Sequence, residues 1–407
     1  MRVRARMFRD VEEAKVQIAE IGVEPVSVDI MGPKTIHLNL LVEDVRPPVA
    51  IIIKESMLAV GADAAINRDC ITNRVEKTDV LVMATRKQLR KAAQNLKMQP
   101  FGLGDIASEM LRIADNIFER PAPWLLPNGK EFSFDRTRIM GILNVTPDSF
   151  AHDGVGDDMH KALERATVME ADGADIIDIG GESTRPGAEP VDERTEIGRV
   201  IPVIESLVGR IKIPISIDTR KPSVARAAIE AGASIVNDVS GLAEKGMIAV
   251  CREKRVPVIV MHMRGTPKNM QDDPSYDDAV GEIMQHLSER VDEALAGGIE
   301  ERQIAIDPGI GFGKRLQDNL EILRRLREFK TLGLPIVIGA SRKNFIGKIT
   351  GLPVEERLEG SIAAACEAAL NGANVIRCHD VRETKIAIQI VDAIMQSGVP
   401  GADESSE

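Results

Sequence analysis

The chain has few of the features that mark membrane or secreted proteins. Its 407 residues include only 4 cysteines, 1 tryptophan and 1 tyrosine. No apolar run reaches the roughly 18 residues that indicate a membrane-spanning helix, and no apolar core follows the basic N-terminus, as it would in a signal peptide. The cysteines lack CxxC spacing, which favours reduced thiols over disulfides or a structural zinc site. We therefore expect a cytoplasmic protein that does not act at a membrane.

Basic residues are fewer than acidic residues. Lys and Arg together number 52 against 63 for Asp and Glu, so the formal net charge is −11, and aromatic residues make up 3% of the chain. Such a chain lacks the broad basic surface and the stacking aromatics that nucleic-acid binding requires. The 6 histidines show no spacing typical of metal ligands. We expect no nucleic-acid partner, although a local basic pocket for a small anion is compatible with this composition.

Length and apolar patterning predict two domains rather than one. The N-terminal part has helical spacing at 11–21, 86–98 and 105–117 and strand-like runs at 35–42 and 80–83. Its polar residues, such as Lys54 and Arg68, favour a solvated or docking face over a second active site. We predict an α/β domain of unknown role over residues 1–120, a Pro-rich linker over 121–134, a barrel over 135–400 and an acidic tail over 401–407.

Eight short runs of mostly apolar, β-branched residues follow residue 138, and helical spacing recurs between many of them. Short strands alternating with helices predict parallel strands joined by crossover helices. Eight such units, in a region close to the roughly 250 residues typical of the fold, predict an α/β protein with a (β/α)₈ TIM barrel. The polar or glycine ends of the runs should lie at the active-site end of the barrel. These ends are Asn144, Gly180, Asp218, Asn237, His262, Asp307, Gly339 with Ser341, and Arg377.

Three glycine-rich or turn-rich loops follow predicted strands, at 144–150, 178–188 and 307–314. Glycines let a backbone approach a ligand closely, and the glycine spacing in 307–314 is not that of a nucleotide-binding Walker loop. An ordinary flexible turn would also account for this composition. The carboxylate of Asp307 at the end of its strand favours a binding site.

The candidate site residues separate by charge. Asp218, Asn237 and Asp307 are hydrogen-bond acceptors, which suit a heterocycle with amidine-like N–H donors, such as a pterin or guanine ring. Arg185, Lys343, Arg377 and His379 would form a cationic rim that suits phosphate. Asn144 could hold Mg²⁺ through its side-chain oxygen, with phosphate and water as the other ligands.

In these motifs the sequence resembles the dihydropteroate synthases over about residues 136–396. No single motif would carry this resemblance, but eight occur in the order that is typical of the family. They are 144–150, 178–188, 218–222, 237–240, 261–263, 307–314, 341–343 and 377–379. One departure is the continuation of the first loop at 151–156, where the family commonly has a serine and two glycines.

The resemblance implies an alkyl-group transferase that condenses 6-hydroxymethyl-7,8-dihydropterin pyrophosphate with 4-aminobenzoate. It implies Mg²⁺ at Asn144, a homodimer and two mobile loops after the first two barrel strands. The catalytic residues would be Asp218, Asp307, Lys343 and Arg377. The pterin would be bound by Asp218, Asn237, Val239, Met261, Asp307, Phe312, Gly339 and Lys343. Pyrophosphate and aminobenzoate would be bound by Asn144, Thr184, Arg185, Pro186, Ser341, Arg377 and His379, with Lys343 also close to the aminobenzoate.

Three alternatives remain at the level of sequence. The same chemistry could use a ribosylated aminobenzene phosphate, as in methanopterin synthesis. A pterin-dependent methyltransferase acting on a corrinoid protein would share the barrel and the pterin pocket, but the cations near Ser341 and Arg377 argue against it. A catalytically silent pterin-binding scaffold would not need this set of charged strand ends.

Overall fold

The computed structural model describes residues 2–145, 155–183, 189–266 and 268–396. The chain divides into two compact units, one made mainly of the residues up to Glu119 and the other of Arg120–Met395. Within these described ranges, no helix combines the length and the apolar character needed to cross a bilayer.

The N-terminal unit is a small three-stranded sheet covered by helices. The sheet has the strand order β1-β3-β2, and both strand pairs are antiparallel. Its core contains the fully buried side chains of Ile53, Met57, Leu89, Leu96 and Leu103. The elements are α1 (Val11–Glu20), α2 (Pro25–Met31), β1 (His37–Val45), α3 (Pro47–Leu58), β2 (Asp63–Ile66), β3 (Thr78–Thr85), α4 (Arg86–Leu96) and α5 (Leu103–Phe118).

Local signals account for most of these elements. Thr85 and Gln88 form a reciprocal capping box, which ends β3 and begins α4 without a connecting loop. Helix α3 was not predicted, because its three consecutive isoleucines at 51–53 are typical of a strand. It forms because Pro47 occupies its first turn, where the missing N–H is not needed.

The second unit opens with a short antiparallel hairpin, β4 (Trp124–Leu125) and β5 (Glu131–Phe132). The Trp124 ring is fully buried, with its centroid 5.1 Å from that of Phe134 and 5.7 Å from that of Phe132. Gln303 accepts a hydrogen bond from the Leu125 backbone and donates one to its carbonyl. The proline-rich stretch predicted as a linker is therefore an ordered part of this unit.

Eight parallel strands follow and form the predicted barrel. The sheet order is β11-β10-β9-β8-β7-β6-β13-β12, and a parallel bridge between Ile306 and Ile336 joins its two ends. This closure confirms the (β/α)₈ architecture expected from the eight apolar runs. The strands are β6 (Arg138–Asn144), β7 (Ile176–Gly180), β8 (Ile215–Asp218), β9 (Ile235–Asp238), β10 (Val258–Met261), β11 (Ile304–Asp307), β12 (Val337–Ile338) and β13 (Val375–Cys378).

Helices cover the outside of the barrel. Helix α7 was not predicted, because Pro202 lies inside it. Helix α11 (Leu316–Arg324) is followed by a 3₁₀ helix over Leu326–Leu332. The helices are α6 (Val155–Ala171), α7 (Glu193–Leu207), α8 (Pro222–Ala231), α9 (Met247–Lys254), α10 (Ala279–Ala296), α11 (Leu316–Arg324), α12 (Asn344–Thr350), α13 (Leu358–Leu370) and α14 (Val381–Gln396).

The amino-terminal end of the barrel is filled by apolar side chains. Trp124, Phe132 and Phe134 form one buried cluster with inward-facing residues of the strands, including Ile176 and Val337. The hairpin thus closes this end of the barrel. The polar residues lie at the other end, at the carboxyl ends of the strands.

Candidate active site at the carboxyl ends of the barrel strands

Side chains alternate along each barrel strand between the interior and the surrounding helices. On β7, Ile177 and Ile179 belong to the core under the helices, whereas Ile176 belongs to the cluster inside the barrel. The same alternation turns one set of residues into the barrel near its carboxyl end. This set is Asn144, Asp178, Gly180, Ser216, Asp218, Asn237, Met261, Asp307, Gly339 and Arg377.

Arg377 is the centre of the polar cluster. Its Nε donates to Oδ2 of Asp178 and its Nη2 donates to Oδ2 of Asp218, each at 2.6 Å. Burial opposes the guanidinium charge, but the two carboxylates outweigh it and raise the pKa of Arg377. Burial also raises the pKa of Asp218 to about 7, against the lowering effect of Arg377. The predicted residues Asp218 and Arg377 are therefore in direct contact before any substrate binds.

Asp178 is a central residue that the sequence interpretation did not include among the site residues. It is fully buried, and its Oδ2 also accepts a hydrogen bond of 3.0 Å from Nδ2 of Asn237. The alternation of side chains along β7 would have identified it, because it lies two residues before Gly180 and faces the same side of the sheet. The structure thus adds a third carboxylate to the predicted pair Asp218 and Asp307.

Asp307 and Lys343 combine an acceptor and a cation in the same region. The backbone N–H of Gly309 donates to Oδ1 of Asp307 at 2.7 Å, while burial raises the pKa of this carboxyl group. The Lys343 ammonium lies 3.9 Å from the centroid of the Phe312 ring. Burial and the nearby Arg377 lower the pKa of Lys343 to about 8. Small changes in pH or in bound charge can therefore change the protonation of this lysine.

Apolar side chains form one side of the barrel mouth. Val239, Met261, Met270 and Phe312 form a buried cluster at the mouth, with Met263 packed against it. Three of these residues, Val239, Met261 and Phe312, were predicted to line a pterin ring. Methionine and phenylalanine side chains offer a flat, polarisable surface suited to an aromatic heterocycle.

Ser341 and His379 are paired at the ends of β12 and β13. The serine Oγ lies 3.0 Å from Nδ1 of His379, and the His379 backbone N–H donates to the same oxygen at 3.2 Å. The sequence interpretation treated His379 as a cation. Burial, with Arg377 and Arg342 nearby, lowers the pKa of His379 to about 3, so its imidazole is neutral at pH 7. It can donate a hydrogen bond to an anion, but it does not add a charge.

Lys314 is a second residue that was missed. Its Nζ is buried and lies 2.9 Å from both Nδ1 of His262 and the carbonyl oxygen of Phe312. Burial lowers the pKa of Lys314 to about 7 and that of His262 to about 2. This pair holds the loop after β11 against the loop after β10.

Two glycines after β11 pack closely against a neighbouring loop. A Cβ on Gly309 would lie 2.0 Å from the carbonyl oxygen of His262, and one on Gly313 would lie 2.4 Å from that of Arg264. Both residues also have φ near +65°, at +71° and +60° respectively. Their first function is close packing against the neighbouring loop rather than close approach to a ligand.

The second loop is described only at its ends. Glu182, at its start, forms ion pairs with Lys221 and Arg220, and Glu196 also binds Lys221 at 2.5 Å. Arg220 and Lys221 therefore pair with acids at the barrel rim. Thr184, Arg185 and Pro186 lie outside the described residues, as does the first loop over 146–154.

A metal ion would find few protein ligands here. No group of three or more His, Cys, Asp or Glu residues suited to a metal occurs in the described part of the chain. Asn144 presents its side-chain Oδ1 near the end of β7, 3.6 Å from where a Cβ on Gly180 would be. Mg²⁺ commonly takes one or two protein oxygens and completes its shell with phosphate and water. The residues present fit a Mg²⁺ ion that arrives with a phosphorylated substrate.

The chain matches a family model described as "Pterin binding enzyme" over residues 140–379. It is 43% identical over 273 residues to the dihydropteroate synthase of Escherichia coli strain K12, a match covering 67% of this chain and 97% of that protein. A solved structure of Xanthomonas albilineans dihydropteroate synthase with 4-aminobenzoic acid is 45% identical, with a TM-score of 0.64. That match covers 67% of this chain and 98% of the other.

A second kind of relative extends further along the chain. It is a probable bifunctional folylpolyglutamate synthase/dihydropteroate synthase of Halobacterium salinarum, 38% identical over 382 residues. The match covers 94% of this chain and 46% of that protein. A match of this length must include most of the N-terminal unit, which the Escherichia coli match does not.

Replacing Gly309 by alanine should destabilise the barrel by several kcal/mol, because a methyl group would overlap the His262 carbonyl. Gly351→Ala is a matched control: this glycine has φ of +77° and no atom within 4 Å of its Cβ position. The control should cost only the backbone strain of about 1 kcal/mol. Urea denaturation of both variants measures the difference, and equal losses would contradict the packing role.

Proposed function

The chain belongs to the pterin-binding enzymes and, among them, to the dihydropteroate synthases, and we propose that one half of the site at its barrel mouth binds the pterin and the other half binds the pyrophosphate. The enzyme joins 6-hydroxymethyl-7,8-dihydropterin pyrophosphate to 4-aminobenzoate and forms 7,8-dihydropteroate and pyrophosphate. The observation that carries the division is the placement of buried acceptors and buried cations at the same end of the barrel, beside an apolar wall.

The first half would recognise the pterin. Asp218, Asn237 and Asp307 would accept hydrogen bonds from the N–H groups of the heterocycle, because ionised carboxylates and amide oxygens are strong acceptors. The ring would lie against Val239, Met261 and Phe312, with Gly339 leaving room beside the Arg377 side chain. Lys343, held above Phe312, would donate to a ring acceptor.

The second half would hold the pyrophosphate. Arg377 and the neutral imidazole of His379 are donors at the end of β13, and the Asn144 oxygen is at the end of β6. Mg²⁺ would be held by Asn144 together with the phosphates, where it would neutralise charge on the departing group. Arg377 is suited to this task because its planar guanidinium remains charged even when buried.

The arylamine would enter last, above the pterin. We propose Thr184, Arg185, Pro186 and Ser341, with Lys343, as its binding residues. The 4-aminobenzoic acid complex of the Xanthomonas albilineans enzyme supports a carboxylate-bearing acceptor. In this group, the Ser341 hydroxyl is paired with His379 and the Lys343 ammonium lies over the Phe312 ring.

The reaction breaks the bond between the pterin methylene carbon and the pyrophosphate oxygen and forms a bond from that carbon to the amine nitrogen. As the leaving group departs with the bonding electrons, positive charge develops on the pterin. Asp218 and Asp307 would stabilise this charge, and Arg377 and His379 would stabilise the leaving pyrophosphate. The amine then attacks and loses one proton. Preorganised charge of this kind contributes about 3 kcal/mol for each donor removed.

We propose that the N-terminal unit does not take part in this chemistry, because the Escherichia coli relative is almost completely matched without it. We also propose a homodimer formed through the late barrel helices. Ile386 and Ile390 lie one turn apart on α14 and are 55% and 60% exposed, which is unusual for isoleucine. A cytoplasmic location is supported by the four free cysteines.

The value of kcat/KM for the pterin pyrophosphate should fall about tenfold for each pH unit below about 7. The reason is that burial raises the pKa of Asp218, and only its ionised form stabilises positive charge. Asp218→Asn should have much lower activity and should lack this acidic decline. Steady-state rates between pH 5 and pH 9 measure the effect.

The matched control for Asp218→Asn is Asp292→Asn, which removes an exposed carboxylate on α10. It should keep both the rate and the acidic decline of the natural enzyme. An Asp218→Asn protein that is folded and has the natural pH profile would rule out this role.

The acceptor can be tested by supplying the purified protein with Mg²⁺, the pterin pyrophosphate and either 4-aminobenzoate or its ribosylated phosphate counterpart. We expect dihydropteroate from the first mixture and little product from the second, as detected by chromatography. Product from the ribosylated amine alone would reassign the acceptor.

A protein that begins at Arg120 should keep the condensation rate and the dimeric mass of the full chain, since the strands and the α14 surface belong to this unit. Light scattering gives the mass, and Ile390→Lys in the full chain should reduce it to that of a monomer. A truncated protein that is folded but inactive would show that the N-terminal unit contributes to the reaction.

A further inference from the structure

Asp178 links the two halves of the proposed site. Its single oxygen Oδ2 accepts one hydrogen bond from Nε of Arg377 at 2.6 Å and another from Nδ2 of Asn237 at 3.0 Å. Arg377 is assigned to pyrophosphate and Asn237 to the pterin. Asp178 itself is fully buried on β7, beneath the layer formed by Gly180 and Asp218.

We propose that Asp178 is a positioning residue that orients Arg377 for pyrophosphate and Asn237 for the pterin through one shared acceptor. The proposal rests on the roles assigned above to these two residues. Asp178 would not touch either substrate, so its effect on the reaction would be transmitted entirely through its two partners.

The contacts of Arg377 indicate how the guanidinium is held. Nε is tied to Asp178 and Nη2 to Asp218, so two bonds from different strands fix the plane of the group. In the described part of the chain, Nη1 forms no hydrogen bond. It therefore remains available as a donor to an anion, in an orientation that Asp178 sets.

The contact with Asn237 determines which end of its amide faces the substrate. A carboxylate only accepts hydrogen bonds, so the amide nitrogen must face Asp178 and the amide oxygen must point away from it. Without Asp178, the two ends of the Asn237 amide could exchange. The substrate would then meet a donor where the pterin requires an acceptor.

The second oxygen of Asp178 allows position and charge to be separated. Oδ1 is buried and has no hydrogen-bond partner. In Asp178→Asn, the amide oxygen can replace Oδ2 and keep both hydrogen bonds, while the amide nitrogen takes the place of Oδ1 and the charge is lost. Asp178→Glu keeps the charge but moves the acceptor by one methylene group. Asp178→Ala removes acceptor and charge together.

The test compares these variants in the full-length protein. Calorimetry gives dissociation constants for inorganic pyrophosphate and for 6-hydroxymethylpterin, and steady-state assays give kcat and the KM for 4-aminobenzoate. For Asp178→Ala we expect both dissociation constants and kcat to worsen by about 10- to 100-fold, with little change in the KM for 4-aminobenzoate. Asp178→Asn should remain within about tenfold of the natural enzyme and should be less impaired than Asp178→Glu.

Ser216→Ala is the matched control. Ser216 pairs with Asp178 in the strand register, is equally buried and also has an unpartnered side-chain oxygen. Because its side chain has no hydrogen bond to Arg377 or Asn237, this variant should bind both ligands normally. In an Arg377→Ala background, Asp178→Ala should weaken pyrophosphate binding by less than a further twofold. The reason is that Arg377, through which Asp178 acts on pyrophosphate, is already absent.

Several results would overturn the proposal. One is a folded Asp178→Ala protein that binds pyrophosphate and 6-hydroxymethylpterin as tightly as the natural enzyme. Another is an Asp178→Asn protein that is more impaired than Asp178→Glu, which would indicate that the charge of Asp178 matters rather than the position of its acceptor. Full additivity with Arg377→Ala would also contradict it. If Asp178→Ala does not fold, the comparison of Asp178→Asn with Asp178→Glu tests the proposal instead. If the natural enzyme binds neither ligand, the proposed function fails rather than the role of Asp178.

Discussion

The buried ion pairs of Arg377 with Asp178 and Asp218 are the interaction around which the active end of the barrel is organised. Each distance is 2.6 Å, and the three groups come from β13, β7 and β8. Removing three charges from water is costly, and a well-packed apolar layer would often be as stable or more so. Their presence inside a barrel, where branched apolar residues usually dominate, therefore points to function rather than stability.

The opposite end of the barrel makes this arrangement possible. The ring of Trp124 and its two phenylalanine neighbours fill the interior below the polar layer, and Gln303 fastens the hairpin to the chain before β11. Apolar side chains therefore line the interior on that side. Burial in these low-dielectric surroundings raises the pKa of Asp218 and lowers those of Lys343 and His379.

The sequence interpretation found the barrel, its strand ends and the family, because strand-length apolar runs and their polar ends are local features. It omitted Asp178 because the residue lies inside an apolar run rather than at its end. It assigned His379 a charge because sequence does not report burial. It considered ligand approach and an ordinary flexible turn for the glycines of 307–314, whereas the group in closest contact with Gly309 is the His262 carbonyl of a neighbouring loop. All three corrections concern surroundings contributed by distant parts of the chain.

The amino-acid sequence alone therefore determined the eight barrel strands and the end of the barrel that carries the polar residues, and its motifs resembled a family that implies the class of reaction. These follow from periodicity, from residue type and from short motifs, which are properties of local segments. Tertiary structure decided which donors meet which acceptors. Arg377 and Asn237 both donate to one oxygen of Asp178, although Arg377 is 199 positions and Asn237 is 59 positions away from Asp178 in the chain. Partners so far apart in sequence meet only when the sheet closes, and their burial then sets which groups are charged.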